Sequence, residues 1–161
     1  VGFAHGPTDL IGKMALAKQG VDLFTNGFGQ RVAERYLSLG LMKKHLPTIR
    51  KLYRHKRDVM LEALRDTWPD NAEWTKPHGG LFLWATVDPS LDTKDLLPRA
   101  ARKGVIYVPG HGFYAGNPEV NHMRLNFSFP SDANIRKGIP VIGEVLKEEK
   151  GAPPLLAPMA K

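Results

Sequence analysis

A strict alternation of apolar and polar residues late in the sequence constrains the fold most strongly. Residues 123–129 read MRLNFSF. In a β-strand, successive side chains point to opposite faces of the sheet. One face is therefore predicted to carry Met123, Leu125, Phe127 and Phe129, and the opposite face Arg124, Asn126 and Ser128. A short apolar run precedes this segment at residues 105–108, and its end at Pro109-Gly110 predicts a buried strand followed by a turn.

The arginine in the middle of the alternating segment needs a physical reason. A guanidinium is always charged, and burying it without a partner is costly. Arg124 is either a solvated residue of an edge strand or a residue paired with an internal carboxylate, or it is an anion receptor. The last interpretation follows because a planar guanidinium can donate two parallel hydrogen bonds to a carboxylate. Asn126 and Ser128 would add polar groups on the same face, and the residues alone leave these alternatives open.

Composition excludes several classes of protein. The chain has 161 residues and no cysteine, which excludes a disulfide scaffold, a thiolate metal site and a cysteine nucleophile. The six histidines lack the spacing of metal ligands, so no metal is predicted. No apolar run approaches the ~20 residues of a membrane span, and no leader opens the chain. We therefore expect a cytoplasmic protein without a membrane partner.

Most of the formal net charge of +7 comes from one stretch. Between Leu41 and Arg57 the chain carries seven basic residues and no acid: Lys43, Lys44, Arg50, Lys51, Arg54, Lys56 and Arg57. A concentrated basic patch can bind nucleic acid. No aromatic residues are interleaved on that face for base stacking, so the solvated face of a long helix is the favoured interpretation. We predict no nucleic-acid partner.

Apolar residues at helical spacing predict five helices. The first two lie between Pro7 and Gly40, and the first has either Gly6 or Thr8 as its cap. The longest helix covers 41–68. A fourth helix starts at Asp92-Thr93, and a fifth is capped by Ser131. The predicted buried positions are Leu10, Met14 and Ala17 in the first helix, Leu46, Ile49, Tyr53, Met60, Leu64 and Trp68 in the third, and Ile135, Ile139, Ile142 and Leu146 in the last.

Residues 81–87 are apolar on both faces, so they predict a central strand covered on both sides. The proline-rich segment 151–161 lacks periodicity and is predicted to be a disordered tail.

An ordered series of short motifs resembles one known family. The series is Pro77-His78-Gly79-Gly80-Leu81-Phe82-Leu83-Trp84, then Gly104-Val105, Val108-Pro109-Gly110, Phe113 and 123–128. It resembles the C-terminal part of class I/II aminotransferases, which are fold-type I pyridoxal-phosphate enzymes. Within this family, the motif series most resembles the branch that acts on 2-aminoadipate, aromatic and branched-chain amino acids. The resemblance covers nearly the whole chain but about the last two-fifths of the family, so we interpret the chain as a C-terminal fragment.

The resemblance implies an α/β fold in which helices pack on a short, mainly antiparallel sheet. It divides the chain into a remnant of the large cofactor-binding domain at 1–40, a linking helix at 41–68 and a small domain at 69–150. The predicted strands of the small domain are 81–87, 105–108 and 123–129. The implied activity of the full-length protein is transfer of an amino group between an amino acid and a 2-oxo acid, with pyridoxal 5'-phosphate as cofactor, in a homodimer.

The resemblance also assigns site residues. Arg124 corresponds to the family's clamp on the substrate α-carboxylate, with Asn126 on the same strand and Gly80 in a turn close to the substrate. Asn26 is a candidate cofactor contact near the dimer interface, and a plain helix cap is its alternative role. His78 is interpreted as a surface residue.

No catalytic residue is predicted within the chain. In the family, the lysine that holds the cofactor and most ligands of its phosphate precede the position of Val1. Lys13 and Lys18 do not match the lysine motif, so the isolated chain is expected to be inactive. The alternative function is the aminotransferase-like sensor domain of a winged-helix transcription regulator, although such domains usually lose the R-x-N-[FY]-S pattern seen at 124–128.

Overall fold

The computed structural model describes residues 1–149 and divides into two compact units, Val1–Ile49 and a second unit that begins at Arg50. The helix α3, Leu41–Thr67, continues across this boundary. The segment predicted to be a disordered tail, 151–161, lies outside the described residues. None of the helices over residues 1–149 combines the length and the apolar composition that a bilayer crossing requires.

The first unit contains the helices α1, Thr8–Val21, and α2, Gly27–Ser38, followed by the start of α3. Neither α1 nor α2 has a buried residue. The predicted buried stripe of α1 is therefore wrong for this chain, and Leu10 is 55% exposed. An apolar stripe is buried only where a second apolar surface covers it, and no element within Val1–Ile49 does so. The predicted side-chain cap of α1 is also absent, since the helix follows Pro7 without one.

The second unit contains a sheet of four short strands: β1 Glu73–Trp74, β2 Phe82–Thr86, β3 Val108–Pro109 and β4 His122–Asn126. Their order is β1-β2-β4-β3, and every neighbouring pair is antiparallel. The prediction of helices on a small antiparallel sheet is confirmed.

The strand predicted at 105–108 is shorter than expected. The backbone N–H of Val105 donates to the carbonyl of Ala100, which closes a helix instead of pairing with a strand. Pro109 has no N–H, so pairing cannot continue beyond it.

One face of the sheet packs against three helices: α3, α4 Thr93–Arg102 and α5 Asp132–Glu149. The predicted inward residues of the alternating strand are buried at Met123, Leu125 and Phe127. Residues predicted to be buried in the second half of the long helix and in the last helix are also buried. They are Met60, Leu64, Trp68, Ile135, Ile139, Ile142 and Leu146. Helical and strand periodicity thus located the core of this unit correctly.

The predicted burial of the second face of β2 and of Phe129 is wrong. Leu83 and Ala85 of β2 are buried, but Phe82 on the other face is 39% exposed and Trp84 is half-buried. Within the described residues, β2 is therefore central in the sheet but covered on one face. Phe129 is 90% exposed because the strand ends at Asn126 and the chain turns there, which breaks the alternation.

Side-chain hydrogen bonds fix the beginnings of two helices as predicted. The Asp92 carboxylate accepts from the N–H of Lys94 at 2.7 Å at the start of α4, and the Ser131 hydroxyl accepts from the N–H of Asn134 at 3.2 Å at the start of α5. The Tyr107 hydroxyl also donates to the carbonyl of Thr93 at 2.7 Å. Burial, with a smaller contribution from Asp92, raises the pKa of the Tyr107 phenol, which keeps it a neutral donor.

Most of the basic run on α3 is exposed, as predicted for a solvated helix face. Lys56 and Arg57 differ, because they bind the loops of the second unit. The Lys56 ammonium donates to the Pro130 carbonyl, and Arg57 Nη1 donates to the Pro77 carbonyl at 2.9 Å. These two cations therefore hold the loops that precede β2 and α5.

The contact between α5 and the end of α3 gives a test of the packing. A Cβ on Gly143 would lie 2.8 Å from the carbonyl oxygen of Thr67, so Gly143→Ala is expected to destabilise the chain by about 1–3 kcal/mol. The matched control is Gly138→Ala on the same helix, whose Cβ would meet Val105 at an ordinary 3.5 Å. That change should stabilise the helix by up to about 1 kcal/mol. Urea unfolding followed by circular dichroism measures both, and equal effects would contradict the packing described.

Candidate functional site

The face of the sheet opposite the core carries two of the predicted site residues, Arg124 and Asn126. The register of β2 and β4 places Trp84 opposite Arg124 and Phe82 opposite Asn126. Val108 of β3 lies opposite Arg124 from the other side. Directly opposite residues in a sheet share a face. This face therefore combines an arginine and an amide with large apolar side chains.

The guanidinium of Arg124 lies over two aromatic rings. Its Cζ is 4.2 Å from the ring centroid of Phe82 and 4.9 Å from that of Phe113. Both distances fall within the range of cation–π attraction. The residue is half-buried, and its guanidinium forms no hydrogen bond or ion pair with any residue of 1–149.

The structure narrows the alternatives for Arg124. It does not lie on an edge strand, because β4 lies between β2 and β3. No carboxylate of the described residues pairs with it. A half-buried charge with rings along its face and unused N–H donors can accept an anion, and a carboxylate matches its planar geometry.

The rings around Arg124 form a connected aromatic group. Trp84 meets Phe113 edge-on, with centroids 5.3 Å apart, and stacks on the His122 ring at 5.6 Å. Tyr114 lies on the same histidine at 6.2 Å. Such edge-to-face and offset contacts are the preferred aromatic geometries. They give this face of the sheet a fixed shape.

His122 is buried and makes contacts through both ring nitrogens. Nε2 lies 2.5 Å from the Glu119 carboxylate, and Nδ1 lies 2.9 Å from the Thr86 hydroxyl. The loop that carries Phe113 approaches closely here, since a Cβ on Gly110 would lie 2.8 Å from the His122 Cβ. This residue was not among the site residues predicted from the sequence. If the predicted strand had been extended by one residue before Met123, it would have included His122. Residues two positions apart in a strand share a face, so His122 would then have been expected on the face of Arg124.

Asn126 shapes the turn that ends β4. Its Oδ1 accepts from the N–H and the hydroxyl of Ser128, each at 2.8 Å, and from the N–H of Phe129 at 3.3 Å. The side-chain acceptor is thereby used locally. Its Nδ2 group makes no hydrogen bond within residues 1–149 and is the part of the amide that a ligand can use. The predicted substrate contact through Asn126 stays a prediction.

Gly80 lies at the same end of the sheet as this turn. The carbonyl of the next residue, Leu81, accepts from the N–H of Phe127 at 3.2 Å. Gly80 has φ +82°, and a Cβ there would meet nothing within 4 Å. The glycine is thus required by backbone conformation rather than by crowding within this chain. Its predicted closeness to a substrate stays a prediction.

Asn26 lies in the first unit and caps α2. Its Oδ1 accepts from the N–H of Gly29 at 2.9 Å, which is the plain capping role considered from the sequence. Its predicted cofactor contact stays a prediction. In the same unit, Lys18 donates to the carboxylate of Asp22 at 2.6 Å.

A groove of about 660 Å³ borders the polar face. It is lined by Phe82, Arg124 and Asn126 together with apolar residues of the segment 104–108 and of α5. Its volume falls within the range of small-molecule sites, roughly 300–1,000 Å³. Among the described residues, no three histidine, cysteine or acidic side chains come together as a metal site would require.

Comparison with known proteins shows which proteins the chain is similar to. The aromatic-amino-acid aminotransferase 1 of Thermococcus litoralis is 45% identical over 149 residues, which are 92% of this chain and 36% of that protein. The crystal structure of Pyrococcus horikoshii kynurenine aminotransferase matches with a TM-score of 0.84 and 49% identity, over 90% of this chain and 36% of that one. The α-aminoadipate aminotransferase of Thermus thermophilus matches with a TM-score of 0.81 and 32% identity, over 90% and 36% of the two chains. The chain matches no protein-family model.

These similarities confirm that the chain is related to the fold-type I, pyridoxal-phosphate-dependent aminotransferases. It spans about 36% of the length of the curated relatives it matches. That share agrees with the prediction that the chain corresponds to about two-fifths of the length of a family member. The HTH-type transcriptional regulator YdfD of Bacillus subtilis is also similar, but at 30% identity over 148 residues, or 92% of this chain and 30% of that protein. The weaker match does not favour the regulator alternative.

The conformational role of Gly80 can be tested against its neighbour. Gly80→Ala forces a side chain into the left-handed region and should destabilise the chain by about 1–2 kcal/mol. Gly79→Ala is the matched control, because its Cβ also meets nothing within 4 Å but its φ is not positive. Thermal unfolding of both variants measures the difference. Equal losses would show that crowding or another contact, rather than φ, requires the glycine.

Proposed function

We propose that this chain is the carboxylate-binding part of a pyridoxal-phosphate-dependent aminotransferase, which transfers an amino group between an amino acid and a 2-oxo acid. The observation that carries the proposal is Arg124. Its guanidinium lies on the open face of the sheet, over two rings and without a carboxylate among the described residues. The 45% identity to an aromatic-amino-acid aminotransferase supports the same assignment.

Arg124 binds the α-carboxylate that every amino acid and 2-oxo acid carries. Two parallel N–H donors meet the two carboxylate oxygens, and hydrogen bonds to charged groups contribute about 1.5–3 kcal/mol each. The surrounding rings exclude water from one side of the guanidinium, which strengthens the interaction. Asn126 offers its Nδ2 donors at the same end of the sheet, and the turn at Gly80 leaves room beside them.

Pyridoxal 5'-phosphate is the proposed cofactor, because the Thermus thermophilus relative was solved with a phosphopyridoxyl-leucine compound. The cofactor supplies the electron sink of the reaction. The described residues do not assemble a site for it. Lys18 is paired with Asp22, and the Oδ1 of Asn26 caps a helix. We propose that its ligands belong to the part of the relatives that this chain does not span, and that the isolated chain is inactive.

The remaining expectations belong to the same proposal. The division of the chain into 1–40, 41–68 and 69–150 follows the two domains and linking helix of the family. A homodimer would cover the exposed apolar residues of α1 and α2, including Leu10, Met14 and Phe28. A cytoplasmic location and the absence of a nucleic-acid partner are proposed with it.

The proposal predicts the effect of removing the guanidinium. The matched segment of the Thermococcus litoralis aromatic-amino-acid aminotransferase 1 would be replaced by this chain, and transamination of an aromatic amino acid measured in the chimera. Arg124→Ala should raise KM and lower kcat/KM by at least about 100-fold, because two charge-assisted hydrogen bonds of about 1.5 kcal/mol or more each are lost. Arg124→Lys should recover only part, because an ammonium cannot form the two-pronged contact.

Arg102→Ala is the control, because Arg102 is an exposed arginine on α4 of the same unit. It should leave KM unchanged. A folded chimera without activity, or an Arg124→Ala chimera with the parental KM, would contradict the proposed function.

A further inference from the structure

We infer that Phe82 and Phe113 are positioning residues, whose rings hold the guanidinium of Arg124 in the orientation that receives a carboxylate. This inference rests on the proposed role of Arg124. It adds two residues that act through the arginine, and it explains how the arginine stays both charged and available.

The two rings reach Arg124 from different parts of the unit. Phe82 lies on β2, two residues from Trp84, which is directly opposite Arg124. Diagonal neighbours on adjacent strands are within reach of long and aromatic side chains. Phe113 ends the one-turn 3-10 helix Gly110–Phe113 and approaches from the loop. Because Cζ lies over both rings, at 4.2 and 4.9 Å, each ring restricts the guanidinium through its face.

Rings hold a guanidinium in a way that a carboxylate cannot. A neighbouring carboxylate would stabilise the charge but would occupy the N–H donors. An aromatic face attracts the cation through its quadrupole and leaves the in-plane donors unused. This matches the structure, in which the donors of Arg124 have no partner within residues 1–149. The arginine is then already ordered when a carboxylate arrives, so less side-chain freedom is lost on binding.

The position of Phe113 is itself fixed by its surroundings. Trp84 contacts it edge-on, with centroids 5.3 Å apart and planes at 87°. At the start of the same short helix, Gly110 lies so close to His122 that a Cβ would come within 2.8 Å. The loop therefore cannot move away from β4 at this point without losing both contacts. Phe82 and Phe113 remain 39% and 50% exposed, so their replacement leaves the buried core intact.

The test uses the full 161-residue chain and nuclear magnetic resonance of the Arg124 side chain. Aromatic faces shift nearby protons upfield, so the Nε–H and δ-methylene signals of Arg124 report the rings directly. The ligand is 4-methyl-2-oxopentanoate, and its methyl ester is the control without a carboxylate. The variants are Phe82→Leu, Phe113→Leu, their double substitution and Phe82→Tyr. Phe24→Leu is the matched control, because that phenylalanine is 71% exposed, does not line the groove and makes no ring contact with Arg124.

Each leucine variant should move the Arg124 signals towards their unshifted positions and weaken binding of the oxo acid by about threefold, and the double variant by about tenfold. Phe82→Tyr retains a ring face and should bind as the parent does. Phe24→Leu should change neither readout. Leucine variants that keep the upfield shift, or that bind as tightly as the parent, would overturn the inference.

The outcomes separate this inference from the proposed function. If Arg124→Ala abolishes binding while the leucine variants leave it unchanged, the carboxylate receptor stands and the positioning role falls. If the parent chain binds the oxo acid no better than the methyl ester, the receptor falls and the positioning role falls with it.

Discussion

The contact between the Arg124 guanidinium and two aromatic rings is the interaction on which the candidate site depends. Arg124 lies on an inner strand, where burying an unpaired charge would be costly. The rings of Phe82 and Phe113 stabilise it, and no carboxylate of the described residues neutralises it. The N–H donors of this guanidinium are therefore free to bind a planar anion, as the proposed function requires. A small, rigid strand assembly suits this task, because the strand fixes the base of the side chain and the rings fix its end.

The opposite face of the same strand anchors the backbone that carries Arg124. Leu125 and Phe127, on either side of the exposed Asn126, are buried against the helices. The helix α5 approaches closely enough at Gly143 that a methyl group would collide with the end of α3. Lys56 and Arg57 hold the loops before α5 and β2 through backbone carbonyls. The packed side therefore anchors β4, and the open side presents its polar residues.

The sequence was sufficient to predict the elements whose apolar periodicity alone shows which face is buried. The period of two around Arg124 predicted which side chains enter the core, and helical spacing located α3 and α5. It failed where burial depends on a surface elsewhere. The apolar stripe of α1, including Leu10, finds no cover within its own unit, and Phe82 faces the site instead of a second layer. Phe113 was noticed only as part of a motif, because the loop conformation that brings it to Arg124 leaves no periodic signal.

Arginine-specific modification of the full chain tests the central claim most directly. Phenylglyoxal would be added at neutral pH, and the modification of each arginine followed by peptide mass spectrometry. The account predicts that Arg124 is modified and that 4-methyl-2-oxopentanoate slows its modification, whereas the methyl ester does not. Exposed arginines such as Arg102 should react at the same rate throughout. Modification of Arg124 at an unchanged rate in the presence of the oxo acid would contradict the assignment of a carboxylate receptor.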